Sequence, residues 1–525
     1  MGAKSALEST ADINANPDGQ SGQARTYFPF AVIVLTFSAI SLWLAAKLSL
    51  YIDELYSLDT TSHGLSYALH QSLGFEQQPP LFFLALTLWR AINASDYFAR
   101  LFSIGCCIGT LFVVWVFARR RLQPLPDWLV PLVFAVNPFF IWAALDIRVY
   151  AMIVLLSAIL ITLYFDAFVD DAAPLRRVLG FTLVAIAAIY TQYFLGFMLI
   201  GFCLALTCSR QWRKVVLFSI SMLVVALAIA PLVLGSVSHE LQDASVVHIR
   251  SPLVLSERML SSTLSFVFPH MWVSATSTVL NFLYVPIVFL TFIALVRANR
   301  PNVNLLSLVS IVAAMIALFL LVINAARAPL EMPRHITALF VPTMLLMLGW
   351  LAAVVTDGTR RRISLWYVVV LLLLSAGDDT KTYRQPLSNI GDWQRVGAFL
   401  NGNVKASEPI AVFDTEDALA VRHYYRGSAR IVPIPHEQDF TKFDRRDFAI
   451  RSSSELASVF PHPSLTTGQA WLVVGVTTCS MIEVGESCSL LNTYVKEHFR
   501  VLSEREFNGA VVRQLQAVHV SLIVR

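Results

Sequence analysis

Residues 28–58 read FPFAVIVLTFSAISLWLAAKLSLYIDELYSL: a run of apolar residues interrupted by one charge, Lys47, which then breaks into the adjacent acids Asp53 and Glu54. An apolar stretch of about 20 residues is what a helix needs to cross a hydrocarbon core roughly 30 Å thick. A carboxylate is tolerated just beyond that boundary and is expensive inside it. The stretch is therefore expected to cross a membrane and to set two carboxylates down on its far surface.

The rest of the chain is written in the same manner. Of the 525 residues 56% are hydrophobic and 14% charged, against about a quarter charged in an ordinary soluble domain. Apolar runs near 28–50, 99–118, 128–144, 149–168, 177–193, 194–208, 215–234, 272–296, 304–324, 335–356 and 363–376 predict about eleven spans. Basic residues gather between them at Arg119, Arg120 and Arg121, at Arg176 and Arg177, at Arg210, Arg213 and Lys214, at Arg297 and Arg300, and at Arg360, Arg361 and Arg362. With that count of spans every cluster falls on one side. By the positive-inside tendency this side is cytoplasmic, together with the N-terminus, and whatever follows the last span is external. The net charge of +4 is small and dispersed, so nothing argues for a nucleic-acid partner.

Two segments lie outside this pattern. Residues 1–27 are small and polar, with no apolar run at the very start that could serve as a cleavable signal, and predict a disordered cytoplasmic tail. Residues 377–525 carry nearly balanced charge and segments too polar to span. There EPIAVF, ARIVPIP, QAWLVVGV and HVSLIV have the character of buried strands, and WQRVGAFL and SLLNTYVKEHF have helical spacing, so a small external α/β domain is expected. Cys106, Cys107, Cys203 and Cys208 lie in or beside spans and act as small apolar residues. Cys479 and Cys488 fall in the external domain, where an oxidising compartment would permit a short disulfide loop but sequence alone does not decide it.

The chemistry is expected where charge persists on the far side. After YIDELYSL the chain holds no Lys or Arg until Arg90, and FEQQPPLFFLALTLWRAIN places Pro79 and Pro80 ahead of an apolar stretch too short to span. Proline suits the first turn of a helix, and the segment predicts an interfacial helix with Trp89 and Arg90 at the headgroups. A second turn, AALDIRVYAM, sets Asp146, Arg148 and Tyr150 at the mouth of the fourth span; a third, NAARAPLEMPRHITALFVP, offers Arg327, Glu331, Arg334 and His335 before the tenth. Each taken alone has a plain reading as a solvated carboxylate or a snorkelling arginine. Together they bring carboxylates and forked guanidinium donors to one face of a helical bundle, which suits a lipid-linked phosphate.

At these residues the chain resembles the bacterial members of glycosyltransferase family 39, membrane glycosyltransferases of the GT-C type that include protein O-mannosyltransferases and lipid A aminoarabinose transferases. The resemblance covers roughly residues 30–350 and rests on YIDELYSL, QPPLFFLALTLW, RLFSIGCCIGTLFVVWVFARR, LDIRVYA, YTQYF and PRHITALFVP. It implies a GT-C bundle whose enzyme moves a sugar, with inversion, from a polyprenyl-phosphate carrier to a glycan, lipid or protein acceptor on the outer face of the inner membrane. Asp53 would be the base, Glu54 would orient the site, and Arg148 and Arg334 would neutralise the departing phosphate. Asp146 would be a second acid near the donor or a divalent cation, with Tyr150, Gln78 and His335 in support. Gln78 stands where relatives usually have histidine, and His335 where a tyrosine commonly follows the arginine. A multi-span transporter or flippase is the rival reading; carriers usually place charge near mid-membrane and show paired repeats, whereas no internal repeat appears here.

Overall fold

A computed structural model describes residues 17–170, 174–240, 251–267, 286–297, 302–326, 332–354, 368–377, 379, 391–441, 448–475, 479 and 482–518. Five of its helices are long and apolar enough to cross a membrane, spanning Tyr27–Ala45, Asp96–Arg121, Tyr150–Val169, Trp212–Leu234 and Val303–Ala325. Shorter apolar helices lie over Leu195–Cys208, Pro286–Arg297, Thr337–Ala353 and Val368–Gly377.

The first helix, α1 (Pro17–Ala45), begins eleven residues ahead of the expected span. A proline at the first turn has no amide to leave unpaired, so Pro17 starts the helix inside the segment expected to be a disordered tail. Residues 1–16 of that tail lie outside the described residues. Three short helices then follow before the second long one: α2 (Ile52–Thr60), α3 (Leu65–Leu73) and α4 (Leu81–Arg90). The last begins directly after Pro79 and Pro80, as the sequence predicts, and buries Phe82, Phe83 and Leu86. Arg90 departs from expectation: its guanidinium turns to the carbonyl of Leu58 and the hydroxyl of Thr61, both at 2.5 Å, rather than standing free at a lipid surface.

The long helix α5 (Asp96–Arg121) fixes the two ends of the bundle. Ser95 caps its start by accepting from the Phe98 amide, and Arg119, Arg120 and Arg121 close its last turn, where cations suit the helix dipole. Arg120 and Arg121 reach Asp166 at 2.8 and 3.4 Å, Arg121 also pairs with Asp170 at 2.7 Å, and Lys214 donates to the carbonyls of Val169 and Asp170. With Arg177, which donates to the Asp166 carbonyl, basic residues from three separate stretches thus meet at one end of the bundle. The loop containing Asp53 and Glu54 lies at the other, about 1.5 Å per residue away along α5.

The span expected over 128–144 is two helices, α6 (Leu129–Ala135) and α7 (Pro138–Leu145). Asn137 breaks it: its side-chain oxygen accepts from the amides of Phe139 and Phe140 and starts a new helix at Pro138. Helix α8 (Tyr150–Tyr164) continues as a π-helical turn over Phe165–Val169. Gly201 brings α10 (Leu195–Cys208) so close to the helix Val303–Ala326 that a Cβ there would sit 2.6 Å from Ile311 Cα, the close approach small residues allow between membrane helices.

The C-terminal residues form a five-stranded sheet of order β2-β1-β3-β5-β4. Strands β1 (Ile410–Phe413), β2 (Ile431–Ile434) and β3 (Gln469–Gly475) are parallel, while β4 (Phe499–Phe507) and β5 (Ala510–Ala517) form an antiparallel hairpin on its edge. The strand-like HVSLIV lies outside the described residues, and the hairpin occupies charged sequence that strand periodicity does not mark. Cys479 and Cys488 are joined as a disulfide. One face of the sheet packs through Val412 and Trp471 with Trp393, Val396 and Leu400, and this apolar cluster is continuous with the core of the bundle. Polar contacts hold the same junction. The Leu50 amide donates to Tyr424 Oη at 2.7 Å, Tyr56 Oη donates to Glu416 at 2.7 Å, and His423 Nε2 lies 2.9 Å from Asp96. The sheet unit is thereby seated directly over the first loop.

Candidate active site

Helix α2 begins where α1 has ended, and its first turn carries both acids of YIDELYSL, a position in which the helix dipole favours negative charge. Being adjacent on a helix, they point apart. Glu54 turns inward and is completely buried; Asp53 turns outward, its side chain 31% exposed.

Glu54 meets Arg100, one turn into α5. The guanidinium contacts Glu54 through Nε and Nη2 at 3.0–3.2 Å and also donates to the carbonyls of Ala45, Leu48 and Ser49 at the end of the first span. The carboxylate further accepts from the amides of Tyr51 and Ile147. Burial pushes the Glu54 carboxyl up from its ordinary value, while Arg100 and the two amides pull it down. Every donor of this clamp is spoken for, so Glu54 binds the loop, the second helix and the Asp146 turn together.

A second buried pair sits beside it. Arg148 is 8% exposed, and its Nη1 reaches Glu76 at 2.9 Å, Ser57 Oγ at 3.0 Å and the Asp53 carbonyl at 3.2 Å. Glu76 also accepts from Thr60. The turn that presents it carries Gln77 in the left-handed region at φ +51°, a conformation non-glycine residues adopt at a cost and that surrounding structure must impose. Arg148 is thus neither snorkelling nor free.

The third pair is the open one. Arg334 Nη1 lies 3.1 Å from Asp53 Oδ2, and both side chains keep about 30% of their surface. Residues 281 positions apart in the chain meet here. Among the acids of the cluster, Asp53 is the one that faces space in which a substrate could lie.

Asp146 completes the group from below. It is fully buried at the end of α7; its Oδ2 accepts from Tyr51 Oη at 2.9 Å and its carbonyl from Ser103 Oγ at 2.7 Å, while Oδ1 has no hydrogen-bond partner. Burial, and then the charge of Glu54, pushes its carboxyl well above the usual carboxylate range. Tyr150 is buried and stacks near Trp142, with ring centroids 4.8 Å apart. The Gln78 amide closes the preceding turn on Ser72 and His335 lies in the turn that presents Arg334. Arg327 and Glu331 lie outside the described residues.

A divalent cation fits this donor set poorly. No three His, Cys, Asp or Glu side chains among the described residues are arranged so that they could hold one metal ion, and three of the four carboxylates here are already held by arginines. Sequence reasoning found Asp53, Glu54, Asp146, Arg148 and Arg334 but missed Arg100, Glu76 and Tyr51. A charged residue one turn inside an apolar span was the available signal for Arg100; Glu76 lay in the quoted FEQQPP without a mark of its own.

No protein-family model matches the chain, and no curated protein matches it. Among solved structures the chain is similar to ArnT from Cupriavidus metallidurans in the apo state, at 13% identity and a TM-score of 0.48, over 96% of this chain and 99% of that one. It is similar to the same protein bound to undecaprenyl phosphate at 13% identity and a TM-score of 0.48, over 92% and 97% of the two chains.

The two kinds of ion pair predict different costs. Removing one partner of a buried pair strands a charge and typically costs about 3–5 kcal/mol, whereas an accessible pair contributes about 1 kcal/mol or less. Arg100→Ala is therefore expected to lower the unfolding temperature of the purified protein sharply, and Arg334→Ala to leave it nearly unchanged. Equal losses, or the larger loss at Arg334, would contradict this division into scaffold and working surface.

Proposed function

We propose that the chain is an inverting glycosyltransferase that moves a sugar from a polyprenyl-phosphate carrier to an acceptor on the outer face of the bacterial inner membrane. The single observation that carries the proposal is the half-exposed pair of Asp53 and Arg334 at one end of an apolar bundle, backed by two buried pairs that hold it in place. A base and a cation side by side at the membrane boundary are what such a transfer needs. The base receives the acceptor's proton, and the cation meets the charge that grows on the leaving phosphate.

In this reading an acceptor hydroxyl attacks the anomeric carbon as Asp53 takes its proton. The bond from that carbon to the carrier's phosphate oxygen breaks, and its electron pair leaves on the phosphate. No general acid is required, because the carrier departs as an anion. Arg334 is the guanidinium positioned to receive it. Arg148, which sequence places beside it in that role, already spends Nη1 on Glu76, Ser57 and the Asp53 backbone, so its first task is to fix the base. Glu54 orients the loop through Arg100. Residues 1–27 would then be a cytoplasmic tail, 28–376 the transferase bundle and 377–525 an external unit seated over the loop.

Replacing the base tests the chemistry. Asp53→Asn should slow single-turnover transfer from a synthetic polyprenyl-phosphate sugar by about 10² to 10⁴, the usual contribution of a positioned base, with the unfolding temperature little changed. Arg334→Ala should chiefly weaken donor use, and Arg334→Lys should restore it only in part, lacking the planar fork. Near wild-type turnover in Asp53→Asn would end this assignment. The orientation has its own check: a topology reporter inserted near Gly74 should signal the exterior and one after Arg121 the cytoplasm, and the reverse pattern would place the acids on the wrong side for an external acceptor.

A further inference from the structure

Four carboxyl groups and three guanidinium groups converge at the loop end of the bundle. Glu54 takes Arg100 at 3.0 Å, Glu76 takes Arg148 at 2.9 Å and Asp53 takes Arg334 at 3.1 Å. Asp146 is left over. No cation lies within ion-pair distance of it among the described residues, it has no exposed surface, and its carboxyl receives one hydrogen bond, from Tyr51, with Oδ1 unsatisfied. The titratable and polar groups set against it among the described residues are few. Tyr51, Asp53 and Glu54 come from the first loop, Arg100 and Ser103 from α5, and Arg148 and Tyr150 from its own turn.

We infer that Asp146 is a neutral carboxylic acid at physiological pH, so that the cluster balances three arginines against three carboxylates and presents no net negative charge to an anionic lipid phosphate. The physical argument is one of counting. A carboxylate sealed from water needs a cation or several donors, and of two neighbouring acids sharing one cation only the better supplied can ionise. Glu54 holds two amides and the fork of Arg100; Asp146 holds one phenol. A metal ion would be the other way to keep Asp146 charged, but its neighbouring carboxylates are committed to arginines and no ligating group of three forms.

Two consequences follow, the second resting on the transferase reading. Because burial raises this carboxyl, the folded state holds the proton more tightly than the unfolded chain. The stability this lends is complete at low pH and declines as pH climbs from the ordinary carboxylate value toward the raised one. Ionising Asp146 at alkaline pH would also leave the site with one uncompensated negative charge, and capture of a phosphate-bearing donor should weaken. Asp146 acts here as a positioning residue, through the charge balance of the pocket and its bond to Tyr51, and takes no part in bond making.

Infrared difference spectroscopy on the purified full chain at neutral pH tests this without any transfer reaction. The carbonyl stretch of a protonated carboxylic acid should be present in the wild type, absent in Asp146→Asn, and shifted in Tyr51→Phe, which removes its hydrogen-bond donor while leaving the acid in place. Asp146→Asn, which fixes the neutral state, should lose the alkaline rise in donor KM expected of the wild type. The absence of an acid band lost in Asp146→Asn or moved in Tyr51→Phe would overturn the inference. So would an alkaline rise in donor KM that persists in Asp146→Asn. If the band behaves as expected and no polyprenyl-phosphate sugar is used by the wild type, the proposed reaction fails and the protonation state stands.

Discussion

The contact between Arg100 and Glu54 is the constraint on which the rest of this end of the molecule depends. A guanidinium one turn inside an apolar helix is admissible only if its donors are met, and here they are met by three carbonyls where the first span ends and by one carboxylate from the following helix. The carbonyls of Ala45, Leu48 and Ser49 have run out of helical partners there, so the arginine satisfies backbone that the ending helix leaves open. The clamp fixes where the first span stops, how α2 leaves it and, through the Ile147 amide, where the Asp146 turn lies. Once Glu54 is locked inward, helical geometry obliges its neighbour Asp53 to face outward.

The cluster is layered by accessibility. Glu54 with Arg100 and Glu76 with Arg148 are buried, the second leaving Arg148 Nε without a hydrogen-bond partner among the described residues, whereas Asp53 with Arg334 is open and joined by a single contact. Buried pairs confer definition more dependably than stability, and these two define the position of the third, which stays accessible. The sheet unit adds a lid of a particular kind. It grips the same loop through Tyr424, Glu416 and Phe440, the last accepting from Gln71, so the segment carrying Asp53 is bracketed between the bundle and the sheet.

Much of this was legible in the sequence because lipid makes polar residues conspicuous. Asp53, Glu54, Asp146, Arg148 and Arg334 stand out against apolar neighbours, and their gathering at one end followed from counting spans. Three of the five basic clusters likewise meet around Asp166 and Asp170, through Arg120 and Arg121, Arg177, and Lys214. What was hidden was pairing. Sequence placed Arg148 and Arg334 in equivalent roles, but Glu76 occupies the first and leaves the second accessible, a distinction made by a turn at Gln77 that no periodicity announces. Arg100 was concealed inside a span whose average hydropathy absorbs a single charge. Asn137 was concealed because its capping role interrupts a stretch apolar enough to be read as continuous. The β4–β5 hairpin carried the strongest local turn signal in the C-terminal region, Asn508 followed by Gly509 at φ +80°, yet its charged edge strand lacks the apolar alternation by which strands are recognised.

The central claim is that the open pair of Asp53 and Arg334 is where a lipid phosphate docks. Photolabelling of the purified protein in membranes, with a polyprenyl-phosphate analogue carrying a photoreactive group beside the phosphate, measures this directly. The account predicts crosslinks concentrated on peptides containing Asp53 and Arg334, suppressed by excess unlabelled polyprenyl phosphate and lost in Arg334→Ala. Competed labelling confined to the opposite end of the bundle, around Arg119, Arg120 and Arg121, would contradict it.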